Sequence, residues 1–161
     1  MQTTSNRTRG DAASSPEPKV CTKFLTFVIG QACYGLDIKD VTEIIGIHKI
    51  TAMPNMPPYI KGVINLRGNI IPVMDVRARF GLEDREYDDR TCIIIIDVDE
   101  TLLGLAVDTV NEVLDIEHTQ IQPPLSIGNE TANTFINGLG KVGTDVKVLL
   151  DAHRLINATS L

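Results

Sequence analysis

Several groups of residues have the types and spacing that chemistry uses. Gly138, Gly140 and Gly143 spell GxGxxG. In a dinucleotide-binding unit such glycines let the backbone approach a pyrophosphate seated on the N-terminus of the next helix. Here residues 144–150 alternate like a strand, so the glycines read as a hairpin turn. Lys141 completes no P-loop, because GKS/T is absent. Asp97, Asp99 and Glu100 could ligate a hard cation. Yet the calcium-loop spacing and its glycine are missing, and a solvated hairpin fits better. His48, His118 and His153 share no HxH or HxxxH spacing. Cys21, Cys33 and Cys92 form no CxxC, and no serine lies in GxSxG. These residues nominate no catalytic set, no metal site and no cofactor. The alternative that stays open is a small-molecule or nucleotide-binding enzyme built on residues 138–143.

Arg67-Gly68 is a different kind of feature. Apolar stretches flank it, at 63–66 and 69–74. Gly68 can take the positive φ that a tight hairpin needs. Arg67 would then project from a rigid tip, available to a carboxylate on another protein. It could equally be an ordinary exposed turn arginine.

Charge and composition narrow the function classes. Net charge is −6 over 161 residues, and four Phe, three Tyr and no Trp are the only aromatics. A nucleic-acid face needs basic patches or stacking rings, so no nucleic-acid partner is expected. No apolar run approaches the roughly 20 residues of a membrane span, so no direct membrane insertion is expected. Three cysteines without a pairing pattern suit a reduced cytoplasmic protein. Seven acidic residues and no Lys or Arg occupy 97–117, whereas 61–79 holds four basic residues and one acidic. Such runs are usually solvated faces, but opposed patches also select partners.

The elements that must carry these residues are mostly strands. Residues 1–19 lack Leu, Ile, Val and Phe, and read as a disordered tail. Strand patterns follow at 23–29, 63–66, 69–74, 92–98 and 102–107, with a hairpin at 141–150. The β-branched run at 92–98 predicts a strand buried on both faces. Short helices are predicted at 37–45, 75–80 and 151–156. Short strands with frequent turn residues indicate an all-β sandwich or barrel.

The chain also repeats. At an offset of 69, residues 24–54 align without a gap on 93–123; Gly35/Gly104, Leu36/Leu105, Val41/Val110, Glu43/Glu112, Ile47/Ile116 and Pro54/Pro123 are identical. At an offset of 76 the match resumes, with Ile60/Ile136, Gly62/Gly138 and Asp75/Asp151 identical. Matching glycines and prolines mark equivalent turns. Two similar β-subdomains are therefore expected, 20–82 and 83–161, the second ending in a helix. Each is small enough to depend on the other.

The sequence resembles the CheW family of bacterial chemotaxis coupling proteins. The resemblance rests on Tyr34-Gly35-Leu36-Asp37-Ile38, on Val41-Thr42-Glu43-Ile44, and above all on the stretch from Ile60-Lys61-Gly62 through Asn65-Leu66-Arg67-Gly68. Gly104-Leu105-Ala106-Val107-Asp108 and Gly138-Leu139-Gly140 extend it over nearly all the patterned chain. It implies two SH3-like five-stranded barrels and a non-enzymatic adaptor. It further implies two partners, the cytoplasmic tip of methyl-accepting chemoreceptors and the regulatory domain of the histidine kinase CheA. Carried onto matching positions, receptor contact falls on Val41, Gly62, Arg67, Val110 and Val113. Kinase contact falls on Ile38 and Glu43, with a second face near Gln122 and Ile127. At this length no kinase core or receiver is expected, which implies a stand-alone cytoplasmic protein associated with membrane receptor arrays.

Overall fold

The computed structural model describes residues 20–124 and 134–158. The expected tail and Ile127 lie outside them. Strand β1 (Cys21–Ile29) and β2 (Ala32–Asp37) form a hairpin that leads through a single 3-10 turn, η1 (Ile38–Asp40), into β3 (Val41–Gly46). A second hairpin, β4 (Ile60–Leu66) and β5 (Asn69–Asp75), runs into the short helix α1 (Val76–Arg79). The second half repeats the strand order, with its 3-10 turn placed after the third strand and one extra strand: β6 (Cys92–Val98), β7 (Thr101–Val107), β8 (Thr109–Glu117), η2 (His118–Gln120), β9 (Ile121–Gln122), β10 (Ile136–Val142), β11 (Asp145–Leu150) and α2 (Ala152–Asn157).

The repeat therefore exists in space as it does in sequence. Asp75 caps α1 by accepting from the Ala78 amide at 3.2 Å, and its counterpart Asp151 caps α2 by accepting from Arg154 at the same distance. One expected helix is replaced. Of residues 37–45, Asp37 ends β2, 38–40 form the turn η1, and β3 takes the rest. Val41, Thr42, Ile44 and Ile45 are β-branched, and pairing with the equally β-branched β6 outweighs a weak helical pattern.

The two sheets do not divide the chain into 20–82 and 83–161. One sheet has the order β8-β1-β2-β11-β10-β9 and the other β3-β6-β7-β5-β4. Each half thus lends its first hairpin to the sheet of the other half. Hairpin β1–β2 joins the second-half strands by antiparallel pairing to β8 and parallel pairing to β11. Hairpin β6–β7 joins the first-half strands through β3 and β5 in the same manner. The connectors at the seam are short. Between β2 and β3 lie three residues, and between β7 and β8 only Asp108. Across each of these links the chain passes from one sheet to the other.

Both sheets curl until their edges meet. Edge strands β8 and β9 are joined by the three residues of η2. In the other sheet, the chain beyond edge strand β3 forms a bridge from Thr51 to Val63 on the opposite edge. The result is two small barrels, as the resemblance implies, one of them with the extra two-residue β9. The largest apolar cluster lies between the barrels rather than inside either. It gathers Leu25, Phe27 and Leu36 from one sheet and Ile94, Ile96 and Leu105 from the other, with Phe80, Phe135 and Leu155. Ile93 and Ile95 point instead into the second barrel, beside Ile64, Ile71 and Val73. Strand β6 is therefore buried on both faces, which is why it lacks polar alternation.

Candidate protein-docking surface

The turn between β4 and β5 contains Arg67 (φ 53°) and Gly68 (φ 87°). Positive φ at both central residues matches the twist of the strands a two-residue hairpin must join. Asn65 locks the turn: its Oδ1 accepts from the Gly68 amide at 3.0 Å. Arg67 is the non-glycine residue that this geometry strains, so the turn fixes its position at some cost. Its guanidinium is 67% exposed and donates to the Glu43 carboxylate, itself 27% exposed, on β3. The sequence reading gave Arg67 and Glu43 to different partners. Closure of the barrel brings the edge strand β3 against the β4–β5 turn and bonds the two.

Val41 at the start of β3 and Val110, second in β8, are half-buried against the inter-barrel cluster, as is Ile38 on η1. Val113 on β8 is 49% exposed, and its repeat counterpart Ile44 is exposed as well. Gly62 is buried behind this surface. A Cβ there would stand 2.1 Å from the Thr51 carbonyl oxygen, at a φ of 147°. Only glycine permits the Thr51 segment to cross so closely, so Gly62 shapes the β4 edge. Gln122 is exposed on β9, opposite Leu139, away from the Glu43–Arg67 bond.

A second polar group was invisible in the sequence. Asp108 belongs to the acidic run, but its side chain is only 9% exposed. It accepts from Arg77 Nε at 2.8 Å and Nη2 at 2.7 Å and from the Gly30 amide at 2.8 Å, and it forms an ion pair with Arg85 at 3.1 Å. The Arg77 hydrogen bond, more than any other contact, holds its carboxyl below the ordinary aspartate range; burial opposes this and the Gly30 bond adds to it. This node ties the β1–β2 turn, α1 and the 81–91 linker together where the chain crosses between barrels. Nearby, the Tyr87 hydroxyl donates to buried Asp75 at 2.7 Å, and burial together with that carboxylate raises the phenol well above its usual range. An open groove of about 490 Å³ lies between Ile29, Ala32 and Tyr34 on one side and Arg77 and Leu82 on the other. None of the nominated docking residues lines it.

The glycines of residues 138–143 behave as packing residues. Gly138 and Gly140 sit within β10, where a Cβ would come to 2.9 Å from the Gln122 carbonyl and 3.0 Å from Ile116 respectively. Gly143 begins the β10–β11 turn at φ 61°. A strand, not a helix, follows them, so no helix N-terminus faces the cluster. Asp99 and Glu100 form the two-residue β6–β7 turn.

Comparisons with known proteins agree with this geometry. The family model for the CheW-like domain matches residues 23–160. The chain is similar to the chemotaxis protein CheW of Klebsiella aerogenes, 35% identical over 139 residues, covering 86% of this chain and 84% of the relative. The Bacillus subtilis chemotaxis protein CheW is 31% identical over 144 residues, covering 89% and 92%. Among solved structures, the scaffolding protein TtCheW of Thermoanaerobacter tengcongensis superposes with a TM-score of 0.78 at 36% identity, covering 84% of this chain and 92% of that one. The chain, with its exchanged hairpins and arginine-tipped turn, belongs to the CheW-like family.

Proposed function

We propose that this protein is a chemotaxis scaffold that couples transmembrane chemoreceptors to the histidine kinase CheA. It is a non-enzymatic adaptor. The observation that carries the reading is the end-to-end family match over residues 23–160, with the Arg67 hairpin intact and bonded to Glu43. Receptor docking involves Val41, Arg67, Val110 and Val113, with Gly62 supporting the surface from behind. Kinase docking involves Ile38 and Glu43, with Gln122 and Ile127 on a second face. The Arg67–Glu43 bond then joins the two docking surfaces through one contact. A receptor that draws Arg67 away changes what Glu43 offers the kinase, and coupling needs such a difference in contacts. No helix among the described residues is long and apolar enough to cross a membrane. Association with membrane receptor arrays would therefore come through the partners.

Calorimetry with a chemoreceptor tip fragment and with the CheA regulatory domain tests this. Arg67→Glu should weaken receptor binding while the fold survives. Unchanged receptor affinity would remove Arg67 from the surface. A thermal-shift screen with NAD, ATP and GTP addresses the enzyme alternative, because any ligand of the native state raises the melting temperature by mass action.

A further inference from the structure

Glu112 is the repeat counterpart of Glu43, and Gly143 is the counterpart of Arg67. The structure preserves both correspondences. β3 and β8 are each the edge strand of a sheet, and β4–β5 and β10–β11 are each hairpins with two-residue turns. Both edge strands carry an irregularity in register at the same place, between Val41 and Glu43 and between Val110 and Val113. The outcome for the carboxylate differs. Glu43 is closed by Arg67, whereas Gly143 offers no side chain. Among the described residues, the Glu112 carboxylate has no ion pair or hydrogen bond. It is exposed, and no Lys or Arg occurs anywhere in 97–117 to neutralise it along the strand.

A second observation shows that Glu112 is held and aimed. Thr26, only 1% exposed, sits opposite the bulge. Its hydroxyl donates to the Glu112 carbonyl at 2.6 Å and accepts from the Glu112 amide at 3.2 Å. The counterpart of Thr26 in the other half is the apolar Ile95. One buried hydroxyl thus serves the backbone of one exposed glutamate. Bulges re-aim side chains beside binding sites, and this one is pinned from below. Val110 and the exposed Val113 flank it.

We propose that Glu112 is the charged anchor of the β8 docking face and receives an arginine from the partner segment. A neighbouring aliphatic side chain of that segment packs on Val113. This rests on the receptor-docking reading above and names the chemistry of the receptor segment: an arginine beside an aliphatic residue. Arginine is favoured because its planar fork matches a carboxylate with two parallel hydrogen bonds.

The test is calorimetry of the full chain with a chemoreceptor tip fragment at low and moderate salt. Glu112→Gln should weaken binding about fivefold and flatten its salt dependence. Gly143→Arg should weaken it similarly, by closing Glu112 within the chain as Arg67 closes Glu43. A Cβ at Gly143 meets nothing within 4 Å, and Arg67 shows that the positive φ accepts this residue. The double variant should be no worse than either single one, and Asp97→Asn, in the same acidic run, should bind normally. Full affinity in Glu112→Gln, with Val113→Glu impaired, would overturn the anchor and leave the docking reading standing. Equally, a Glu112→Gln defect seen with the CheA domain but not with the receptor fragment would overturn the partner assigned. Absence of binding by the unaltered protein would sink both readings.

Discussion

Replacing Asp108 with alanine should cost about 3–4 kcal/mol of folding stability. The figure follows from what the carboxylate leaves behind. Arg77, whose side chain is 17% exposed, loses both of its bonds to Asp108, and the Gly30 amide loses its acceptor. Breaking a buried charge pair by removing one partner costs about 3–5 kcal/mol. Arg77 keeps one bond, to the Glu83 carbonyl at 3.0 Å, which places the value at the lower end. Arg85 is too exposed for its share to count. Against a total stability of about 5–15 kcal/mol, such a loss is easily seen. Urea unfolding monitored by circular dichroism would report it as a lower midpoint with an unchanged slope. The pH dependence has a definite sign. Asp108 titrates below the ordinary value of 3.8 in the folded state. Its ionic stabilisation is therefore complete above that value and disappears as pH falls through the folded pKa. The gap between the native protein and Asp108→Asn should accordingly narrow in acid. A midpoint shift worth less than about 1 kcal/mol at neutral pH, or a gap that widens in acid, would refute the reasoning.

Gly62→Ala should destabilise the fold strongly, by roughly 3 kcal/mol or more, because its Cβ meets backbone 2.1 Å away. Receptor binding by the folded fraction should then be nearly normal, a distinction that binding measured alongside thermal melting makes. A fragment of residues 20–82 should remain unfolded, since β1–β2 and β3–β5 belong to different sheets. Mixing it with 83–161 should restore strand-rich circular dichroism, and a folded isolated 20–82 would contradict the exchange. Reversing Arg67 to glutamate should alter stability by less than about 1 kcal/mol, since the pair is exposed; chemical denaturation checks this.

Much of the fold is written in local patterns. The β-branched run of β6, the Asp caps before α1 and α2, and the two-residue turns at 67–68 and 99–100 are short-range features, and short-range steric rules read them. The exceptions have a common cause. At 37–45 the spacing of apolar residues resembles a helix, but only the neighbouring β6 makes a strand of them. β8 carries Asn111, Glu112 and Asp115 outward at a sheet edge, so its apolar alternation is too weak to announce a strand. Asp108 looks like one more solvated acid, because Arg77, Arg85 and Gly30 reach it from distant parts of the chain.

The sequence by itself determined that the chain is a twofold repeat of strands, that its glycines at 138–143 belong to a hairpin and not to a dinucleotide-binding unit, and that its family is that of the coupling proteins. Those conclusions rest on residue identity and spacing, which folding does not alter. Only the tertiary structure decided which hairpin enters which barrel. Two similar halves offer similar pairing edges, so the pattern of apolar residues fits either arrangement; the long-range pairings of β1 with β8 and of β3 with β6 define the one adopted. The same step closed Glu43 with Arg67 and left Glu112 open. An ion pair between residues 24 positions apart depends on where barrel closure puts its members.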